Sequence, residues 1–356
     1  MKLPKLYSKA STGKTRVIEI WTEGDIVISE AGQLGGKMTR SSYKVEPKNV
    51  GKANETSPKE QPVLEATSDW NKKKRLKYVE NLEDLVDKRF GPMTAKTYEP
   101  DKLTFPVMSQ PKFNGLRCMV YWEGDELKFM SRGKKFYTTM IHIEEELKNV
   151  LPKDIVLDGE LYVHGCSLQV INSFVKSLKE DSDRVEYVVY DMMSKEDLSF
   201  EDRWKPKFLE GLKTVRVCPT FIANNEKELE AFYEAFIKQK YEGLMIRIPS
   251  GKYKWDNRSS DLLKYKKFQD AEFEVIDVID GKGKFKDAAV FICKNDLTAA
   301  TFEVTMAVDM ETKRAQFESK DKYIGKKLTV KYFDRTDSLI PTFPVGLTFR
   351  LEEDLA

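Results

Sequence analysis

The amino-acid sequence predicts a multidomain α+β protein: a small β-rich N-terminal domain with one helix, a mixed α/β domain, and a C-terminal β-barrel. Two observations lead to this class. Runs of alternating apolar and polar residues, typical of half-buried strands, occur along the whole chain. Helical patterns alternate with these runs mainly in the middle of the chain. The 356 residues are enough for two or three domains, which we place at residues 1–95, 96–267 and 268–356.

The N-terminal segment predicts an antiparallel sheet over residues 5–45. Its strands have the sequences RVIEIW, DIVISEAGQL and SSYKV, and glycines separate them. Thr56 or Ser57 can then cap a long, charged helix. The proline-flanked segment 98–105 is expected to be a linker.

Strands and helices alternate from Val107 onward. Strands are expected in LRCMVYW, LKFMSR, DIVLDGELYV, VEYVVYDMM and GLMIRI, and helices in MIHIEEELKNVL, SLQVINSFVKSL and EKELEAFYEAFIKQK. After LLKYKKF the helical patterns stop. The strand patterns that follow, about five of them, favour a small closed barrel of the OB type.

Composition excludes several classes of protein. Net charge is only +2, no apolar run could span a bilayer, and the first residues lack the apolar core of a signal peptide. We therefore expect a cytoplasmic protein without membrane contact. The four cysteines lack metal-ligand spacing, and only His142 and His164 are available for histidine chemistry. The N-terminal segment is net basic, so it is the best candidate for a nucleic-acid contact.

The stretch QPKFNGLRCMV places Lys112 at the start of an apolar strand. A lysine is seldom buried without a partner, so Lys112 either reaches solvent or serves as a nucleophile. Nucleophilic attack needs the neutral amine, which burial and neighbouring cations both favour. Lys264 and Lys266 are candidate neighbours, and a bound metal ion would act in the same way.

Charged and aromatic side chains also lie at the ends of the other strands of the central domain. Together they are of the types that bind a nucleoside triphosphate. Phosphates need cations, a divalent metal needs carboxylates, a base needs an aromatic face, and a ribose needs a carboxylate acceptor. The candidates are Arg117, Arg132, Lys264 and Lys266 for phosphates, Glu242, Asp158 or Glu160 for the metal, Tyr190 for the base and Glu160 for the ribose.

These residues lie in an ordered set of motifs: K-x-N-G-x-R, SRG, DGEL, YVVYD, EGLMIR and LLKYKKF. The set resembles the covalent nucleotidyltransferases, which comprise ATP-dependent polynucleotide ligases and GTP-dependent mRNA-capping enzymes. One KxxG occurs by chance in many proteins, whereas all of these motifs in order form a specific signal. The barrel segment is most similar to bacterial and viral ATP-dependent DNA ligases.

The resemblance implies a role for each matching residue. Lys112 would take AMP from ATP, pass it to a 5′-phosphate at a nick, and release it when the 3′-hydroxyl attacks. Mg²⁺, or Mn²⁺ in its place, would neutralise phosphate oxygens. Tyr190 and Gln110 would contact adenine, and Glu160 would contact the ribose. Arg117 and Arg132 would contact the ribose and the terminal phosphate of the nicked strand. Glu242 would bind the metal, and Lys264 and Lys266 would bind the α-phosphate.

Two parts of the chain depart from the family pattern. Asn114 stands where many members have Asp. The final motif lacks the R-x-D-K of capping enzymes, and Arg350 is the residue that takes its place.

The N-terminal segment resembles, more faintly, a WGR-like nucleic-acid-binding module. Trp21 and the GQLGGK turn carry this likeness, but the tripeptide that names the module is replaced by Ala-Gly-Gln. Phosphate contacts to duplex DNA are expected from the sequence NKKKRLK, with Lys73, Lys74 and Arg75.

We therefore predict a monomeric ATP-dependent DNA ligase that acts on nicked duplex DNA in replication, repair or recombination, in the host cytoplasm if the chain is viral. An RNA ligase or a ligase of mixed substrate would share the same lysine chemistry. A capping guanylyltransferase would use GTP instead of ATP. A non-catalytic nucleic-acid-binding protein is disfavoured because the complete set of motif lysines and carboxylates is present.

Overall fold

The computed structural model describes residues 1–10, 12–85 and 90–350. The chain folds into two compact units, one formed by Met1–Asp87 with Lys267–Ala356 and the other by Lys88–Lys266. Within the described part of the chain, no helix is both long enough and apolar enough to cross a membrane.

The first unit begins with the predicted antiparallel sheet, formed by β1 (Leu6–Lys9), β2 (Thr15–Glu23), β3 (Ile26–Gln33) and β4 (Met38–Lys44) in that order. Helix α1 (Glu60–Leu76) packs on one face of the sheet, where Ile18, Ile20, Val27 and Ala66 are buried. The long helix is thus confirmed.

Helix α1 begins at Glu60, and Lys59 is the residue that directly precedes it, so the expectation that Thr56 or Ser57 caps the helix is wrong. Ser57 still contacts the first turn: its hydroxyl accepts the N–H of Glu60 at 3.2 Å, and the Glu60 carboxylate accepts the N–H of Ser57 at 3.0 Å.

The C-terminal part of the same unit is a closed five-stranded barrel. Its strands are β16 (Gln269–Asp280), β17 (Ala289–Lys294), β18 (Thr301–Met306), β19 (Lys327–Tyr332) and β20 (Val345–Phe349), and they close in the order β16-β17-β18-β20-β19. Phe273, Phe291 and Val330 fill the interior. The predicted small barrel is therefore confirmed.

A short helix, α6 (Met310–Glu318), follows the third barrel strand, so the expectation that helices stop after LLKYKKF is wrong. The helix is mostly polar and buries little, and for this reason it shows no clear apolar period. Its start is fixed by Asp309, whose carboxylate accepts the N–H of Thr312 at 2.8 Å.

The second unit contains two sheets. The six-stranded sheet consists, in spatial order, of β12 (Val215–Val217), β11 (Glu186–Met193), β10 (Val156–Tyr162), β7 (Leu116–Glu123), β8 (Glu126–Ser131) and β9 (Phe136–Tyr137). The five-stranded sheet consists, in spatial order, of β13 (Phe221–Ala223), β6 (Val107–Lys112), β14 (Gly243–Arg247), β15 (Arg258–Tyr265) and β5 (Thr94–Thr97).

Helices cover the outer faces of both sheets. The three predicted helices are confirmed as α2 (Ile141–Lys148) and α3 (Leu168–Lys176) on the six-stranded sheet, and α5 (Glu226–Lys238) on the five-stranded sheet. A short helix, α4 (Phe200–Arg203), follows β11.

The segment 98–105 is not a linker. Tyr98, Leu103 and Phe105 pack against the core beneath α5, and the preceding strand β5 is hydrogen-bonded to β15. Prolines favour turns, but they do not prevent the neighbouring apolar side chains from being buried.

The two sheets pack against each other through a methionine-rich core. Met119, Met130 and Met193 of the six-stranded sheet contact Leu262 of the other sheet and Met93, which directly precedes β5. Because side chains alternate along a strand, every second residue of β6 faces this interior. Lys112 lies at the end of that row, at the edge of the space between the sheets.

Candidate active site

Lys112 shares a carboxylate with a second lysine. It pairs with Gly243 in the sheet, and its carbonyl oxygen accepts the N–H of Glu242 at 2.9 Å. One oxygen of the Glu242 carboxylate forms an ion pair with the Lys112 ammonium, and the other lies 3.1 Å from the ammonium of Lys266. The three side chains are between 11% and 20% exposed. Lys112 is therefore largely enclosed and paired, and it does not extend into solvent.

Two motif glycines permit close backbone approach at this site. Gly243 has φ +152°, and a Cβ there would come within 2.5 Å of the carbonyl oxygen of Tyr265. A Cβ on Gly115 would overlap the carbonyl oxygen of Leu161, and the Gly115 N–H donates to the Glu160 carboxylate at 3.2 Å. A side chain at either position would push apart the strands that carry the charged groups.

Arg117 forms a bidentate pair with Asp158 across neighbouring strands. The guanidinium donates to the two carboxylate oxygens at 2.9 and 2.5 Å, and the Tyr253 hydroxyl donates to one of them at 2.6 Å. Burial opposes the charge of Arg117, but the Asp158 carboxylate outweighs it and holds the pKa of Arg117 well above its usual value.

Asp158 is fully buried in this pair. Its oxygens accept hydrogen bonds from a guanidinium and a phenol, and its assignment as a metal ligand stays a prediction. The sequence pattern DGEL offers two carboxylates on one strand face, but it does not show which of them the neighbouring arginine neutralises.

Glu160, the other carboxylate of that motif, lies near enough to Lys112 to interact with its charge. It accepts the Gly115 N–H, and the Tyr190 hydroxyl lies 3.4 Å from its second oxygen. Burial raises the pKa of Glu160 to about 7, although the charges of Lys112 and Arg117 oppose the shift. A carboxyl poised in this way can accept a hydrogen bond from a ribose hydroxyl once it has lost its proton.

Tyr190 lies at a β-bulge between β10 and β11. Val189 and Asp191, on either side of it, pair with consecutive residues of β10, so Tyr190 itself has no partner in the ladder. Tyr190 and Asp191 therefore both approach the five-stranded sheet, which a regular strand would not allow. The guanidinium groups of Arg117 and Arg247 lie 5.8 and 5.6 Å from the Tyr190 ring centre.

A buried network behind the bulge joins the two sheets. The Asp191 carboxylate accepts two hydrogen bonds from Arg203, at 2.7 and 3.0 Å, and pairs with Arg247. Arg247 also donates to the amide oxygen of Gln110 at 2.9 Å and to the carbonyl oxygen of Tyr190 at 3.0 Å. The sequence indicated that Asp191 could pair with an arginine, but it did not identify Arg247 or Arg203. The only signal was that Arg247 ends the EGLMIR motif.

Gln110 is held rigidly by this network. Its amide nitrogen donates to the carbonyl oxygen of Tyr190 at 3.1 Å and to the Thr220 hydroxyl at 3.0 Å, while its oxygen accepts from Arg247. Both amide protons are therefore used, and only one lone pair on the oxygen remains for a base. The Trp204 indole also donates to the Thr220 hydroxyl, at 3.1 Å, and no pattern in the sequence indicates either residue.

Lys264 and Lys266 add positive charge on the same side of the five-stranded sheet as Lys112. Lys264 pairs with Met245 in the strand register, and Lys266 follows two residues later. Burial lowers the pKa of Lys266, and the charges of Lys112 and Lys264 act in the same direction, against the Glu242 carboxylate. An anion such as a phosphate would relieve this excess of positive charge.

The residues predicted to contact DNA are on the surface. Arg132 is exposed in the turn between β8 and β9. In the other unit, Lys73, Lys74 and Arg75 occupy the last turn of α1, where Lys74 forms an ion pair with Glu80.

Arg350 pairs with Glu272 of β16, and its backbone N–H donates to the carbonyl oxygen of Lys327 at 2.9 Å. These contacts fasten the end of the last barrel strand.

The Glu242 carboxylate is suited to a metal ion at this site. Among the described residues, no three His, Cys, Asp or Glu side chains are arranged to bind one. Mg²⁺ often binds through one or two carboxylates together with substrate phosphates. Glu242, placed between two lysines, fits that pattern.

The fold and this site agree with those expected of a covalent nucleotidyltransferase. Residues 92–266 match the family described as ATP dependent DNA ligase domain. This part of the chain is an ATP-dependent DNA ligase domain.

Individual relatives agree with this family. A DNA ligase of African swine fever virus is 29% identical over 345 residues, covering 90% of this chain and 80% of the viral protein. A DNA ligase of Haemophilus influenzae is 26% identical over 256 residues, covering 70% of this chain and 89% of that protein. A solved structure from a structure–function analysis of Lig E DNA ligases, 25% identical, superposes with a TM-score of 0.62 over 75% of this chain and all of that one. The WGR-like resemblance of the N-terminal segment stays a prediction.

The raised pKa of Glu160 predicts a specific dependence of stability on pH. Between about pH 4.5 and 7, the folded state retains a proton that the unfolded state has lost, so unfolding becomes easier as pH rises through this window. Glu160→Gln cannot titrate. We therefore expect the melting temperature of the wild type, relative to Glu160→Gln, to fall from pH 4.5 to 7 and then to level off.

Calorimetry at half-unit steps of pH would measure this difference, with the exposed Glu123→Gln as the control variant. Parallel melting profiles for the wild type and Glu160→Gln would contradict the assignment of the titration to Glu160.

Proposed function

We propose that this chain seals nicks between a 5′-phosphate and a 3′-hydroxyl in duplex DNA, through AMP bound covalently to Lys112. The observation that carries the proposal is the Glu242 carboxylate, which is shared by Lys112 and Lys266. This carboxylate holds the enclosed Lys112 amine beside the Lys266 ammonium. Attack on a phosphate requires both a nucleophile and a nearby cation.

In the first step, the neutral Lys112 amine attacks the α-phosphate of ATP. A nitrogen–phosphorus bond forms, the bond from the α-phosphorus to the bridging oxygen breaks, and pyrophosphate leaves. The Glu242 oxygen that contacts the amine is placed to hold the proton that Lys112 must lose. Lys264 and Lys266 would bind the α-phosphate and stabilise its developing charge.

A divalent ion would be held by Glu242 together with the nucleotide phosphates. When bound there, Mg²⁺ or Mn²⁺ would neutralise phosphate oxygens.

The groups around the bulge would bind the nucleoside. Tyr190 offers a ring to adenine, and the residual lone pair of Gln110 can accept one hydrogen bond from its amino group. Glu160 would accept a hydrogen bond from a ribose hydroxyl. Arg117, fixed in orientation by Asp158, would face the ribose or the nick phosphate.

In the later steps, the 5′-phosphate of the nick attacks the lysyl–AMP, which regenerates Lys112 and leaves AMP on the DNA end. The 3′-hydroxyl then attacks that 5′-phosphate, forms the phosphodiester bond and releases AMP. Arg132, exposed beside β8, would bind the terminal phosphate of the nicked strand.

We also propose three functional segments. Residues 1–95 would grip duplex DNA as a WGR-like module, 96–267 would carry out adenylation, and 268–356 would form an OB-type barrel. The barrel order 1-2-3-5-4, with a helix between its third and fourth strands, supports the last assignment. A monomer acting in the cytoplasm, or in the host cytoplasm as its viral relatives suggest, completes the proposal.

Sealing assays on matched substrates would test this function. We expect ATP with Mg²⁺ to support sealing of a nicked all-DNA duplex, because residues 92–266 match the ATP dependent DNA ligase domain. The same duplex with RNA on both sides of the nick should be sealed more slowly, and GTP should support no sealing. Faster sealing of the RNA nick would favour an RNA ligase, and use of GTP would favour a capping enzyme.

Salt dependence of binding would test the basic turn of α1. The variant Lys73→Ala/Lys74→Ala/Arg75→Ala removes three charges, so it should weaken binding to nicked DNA. The slope of log affinity against log salt should become shallower by about 0.9 for each DNA phosphate that the variant no longer neutralises. Fluorescence anisotropy at several salt concentrations measures both quantities.

The matched control Lys73→Arg/Lys74→Arg/Arg75→Lys keeps the charges and should keep the slope. An unchanged slope in the alanine variant would show that this helix turn does not contact the DNA backbone.

A further inference from the structure

Arg132 lies at the tip of a tight turn that connects β8 to β9. The N–H of Ser131 donates to the carbonyl oxygen of Lys135 at 2.7 Å, and the N–H of Lys134 donates to the carbonyl oxygen of Ser131 at 2.8 Å. The Ser131 hydroxyl accepts the N–H of Lys135 at 2.9 Å. The backbone at Arg132 is thus well defined, while its side chain points to solvent.

Lys134, two residues beyond, is anchored to a distant loop. Its ammonium forms an ion pair with Asp256 at 2.9 Å, and its side chain is only 14% exposed. Two cations of the same turn therefore have different environments. Lys134 is held against the protein by its ion pair with Asp256, whereas Arg132 is exposed to solvent.

Both partners of this ion pair have an unusual backbone conformation. Lys134 has φ +57° and Asp256 has φ +49°, a left-handed region that residues other than glycine seldom adopt. Glycine at 134 would adopt it without strain, but it could not reach Asp256. A partly exposed ion pair contributes little to stability. Stability alone therefore does not explain the arrangement, and backbone strain of this kind is concentrated at functional sites.

Gly91 packs directly against the pair. A Cβ there would lie 3.1 Å from both the Lys134 side chain and the Asp256 carboxylate, and the Gly91 carbonyl oxygen accepts the Asp256 N–H at 2.8 Å. Three separate segments of the chain are thus locked together behind the turn.

The loop that carries Asp256 also reaches Arg117. Tyr253, three residues earlier, donates to Asp158, which holds Arg117 in its bidentate pair. One short loop therefore fixes both arginines that the proposed function places at the nucleotide and the nick.

We propose that Asp256 is a positioning residue for Arg132: its ion pair with Lys134 holds the turn in the orientation that presents the guanidinium to the terminal phosphate of a nick. This inference rests on the proposed function, since it assumes that Arg132 contacts that phosphate. It predicts that Asp256 acts in the steps that involve DNA and not in the formation of lysyl–AMP.

Asp256→Asn is the variant that tests this role. Asparagine tolerates the left-handed conformation, so the substitution removes the charge and leaves the backbone as it is. The comparison set is Arg132→Ala, the double variant, and Asp197→Asn. The control Asp197 forms an ion pair with Lys252 in the same unit, with side chains 69% and 57% exposed.

The assay would follow single-turnover sealing of a nicked duplex by enzyme that already carries AMP, with lysyl–AMP formation from ATP measured separately. Asp256→Asn should form lysyl–AMP at the wild-type rate but seal about tenfold more slowly, which corresponds to about 1.4 kcal/mol. In the Arg132→Ala background, Asp256→Asn should cause little further loss, because both act through one contact. Asp197→Asn should match the wild type.

Three outcomes would overturn the inference. If Arg132→Ala is impaired but Asp256→Asn seals at the wild-type rate, or if the two losses multiply in the double variant, Asp256 does not act through Arg132. If Arg132→Ala itself seals normally, the proposed role of Arg132 fails and the inference fails with it.

Discussion

The carboxylate of Glu242, bound on one side by Lys112 and on the other by Lys266, is the interaction on which the site depends. It requires two strand ends to meet, so it requires the glycine at 243 and the register that places this glycine beside Lys112. It also explains how a lysine can lie in a largely enclosed place. One negative charge between two positive ones leaves the site net positive, which favours a phosphate.

A second constraint comes from the buried network around Asp191. This carboxylate faces two arginines, and Arg247 extends the contact to Gln110 on β6 and to the backbone at Tyr190. The two sheets that form the nucleotide site are therefore tied by charge-assisted hydrogen bonds as well as by the methionine-rich core. If the sheets moved apart, Asp191 would lose its contact with Arg247, and buried charges would be left without a partner, which is energetically costly. We therefore expect the network to fix the relative position of the two sheets.

The sequence predicted much of this arrangement because the motif residues end strands whose alternating pattern is strong. The strands that carry Arg117 and Glu160, the helices α1, α2, α3 and α5, and the five-stranded barrel were all recognisable from periodicity. The strand that ends at Lys112, β6, was not, and the expectation that Lys112 begins the following strand is wrong. Ser109, Gln110 and Pro111 are buried in succession in β6, so no alternating pattern marks it. The bulge at Tyr190 was not recognisable either, since one unpaired residue leaves no trace in an alternating pattern. Nor could the sequence decide which carboxylate of DGEL meets Arg117, or that Asp256 reaches Lys134, because these pairings join residues far apart in the chain.

The central claim is that Lys112 is the residue that becomes adenylated. Its most direct test is the intact mass of the protein, first freed of bound AMP with pyrophosphate, after incubation with Mg²⁺ and either ATP or GTP. The wild type and the exposed control variant Lys153→Ala should gain the mass of one AMP with ATP alone, and Lys112→Ala should gain nothing. An adduct that persists in Lys112→Ala, or its absence from the wild type, would contradict the account.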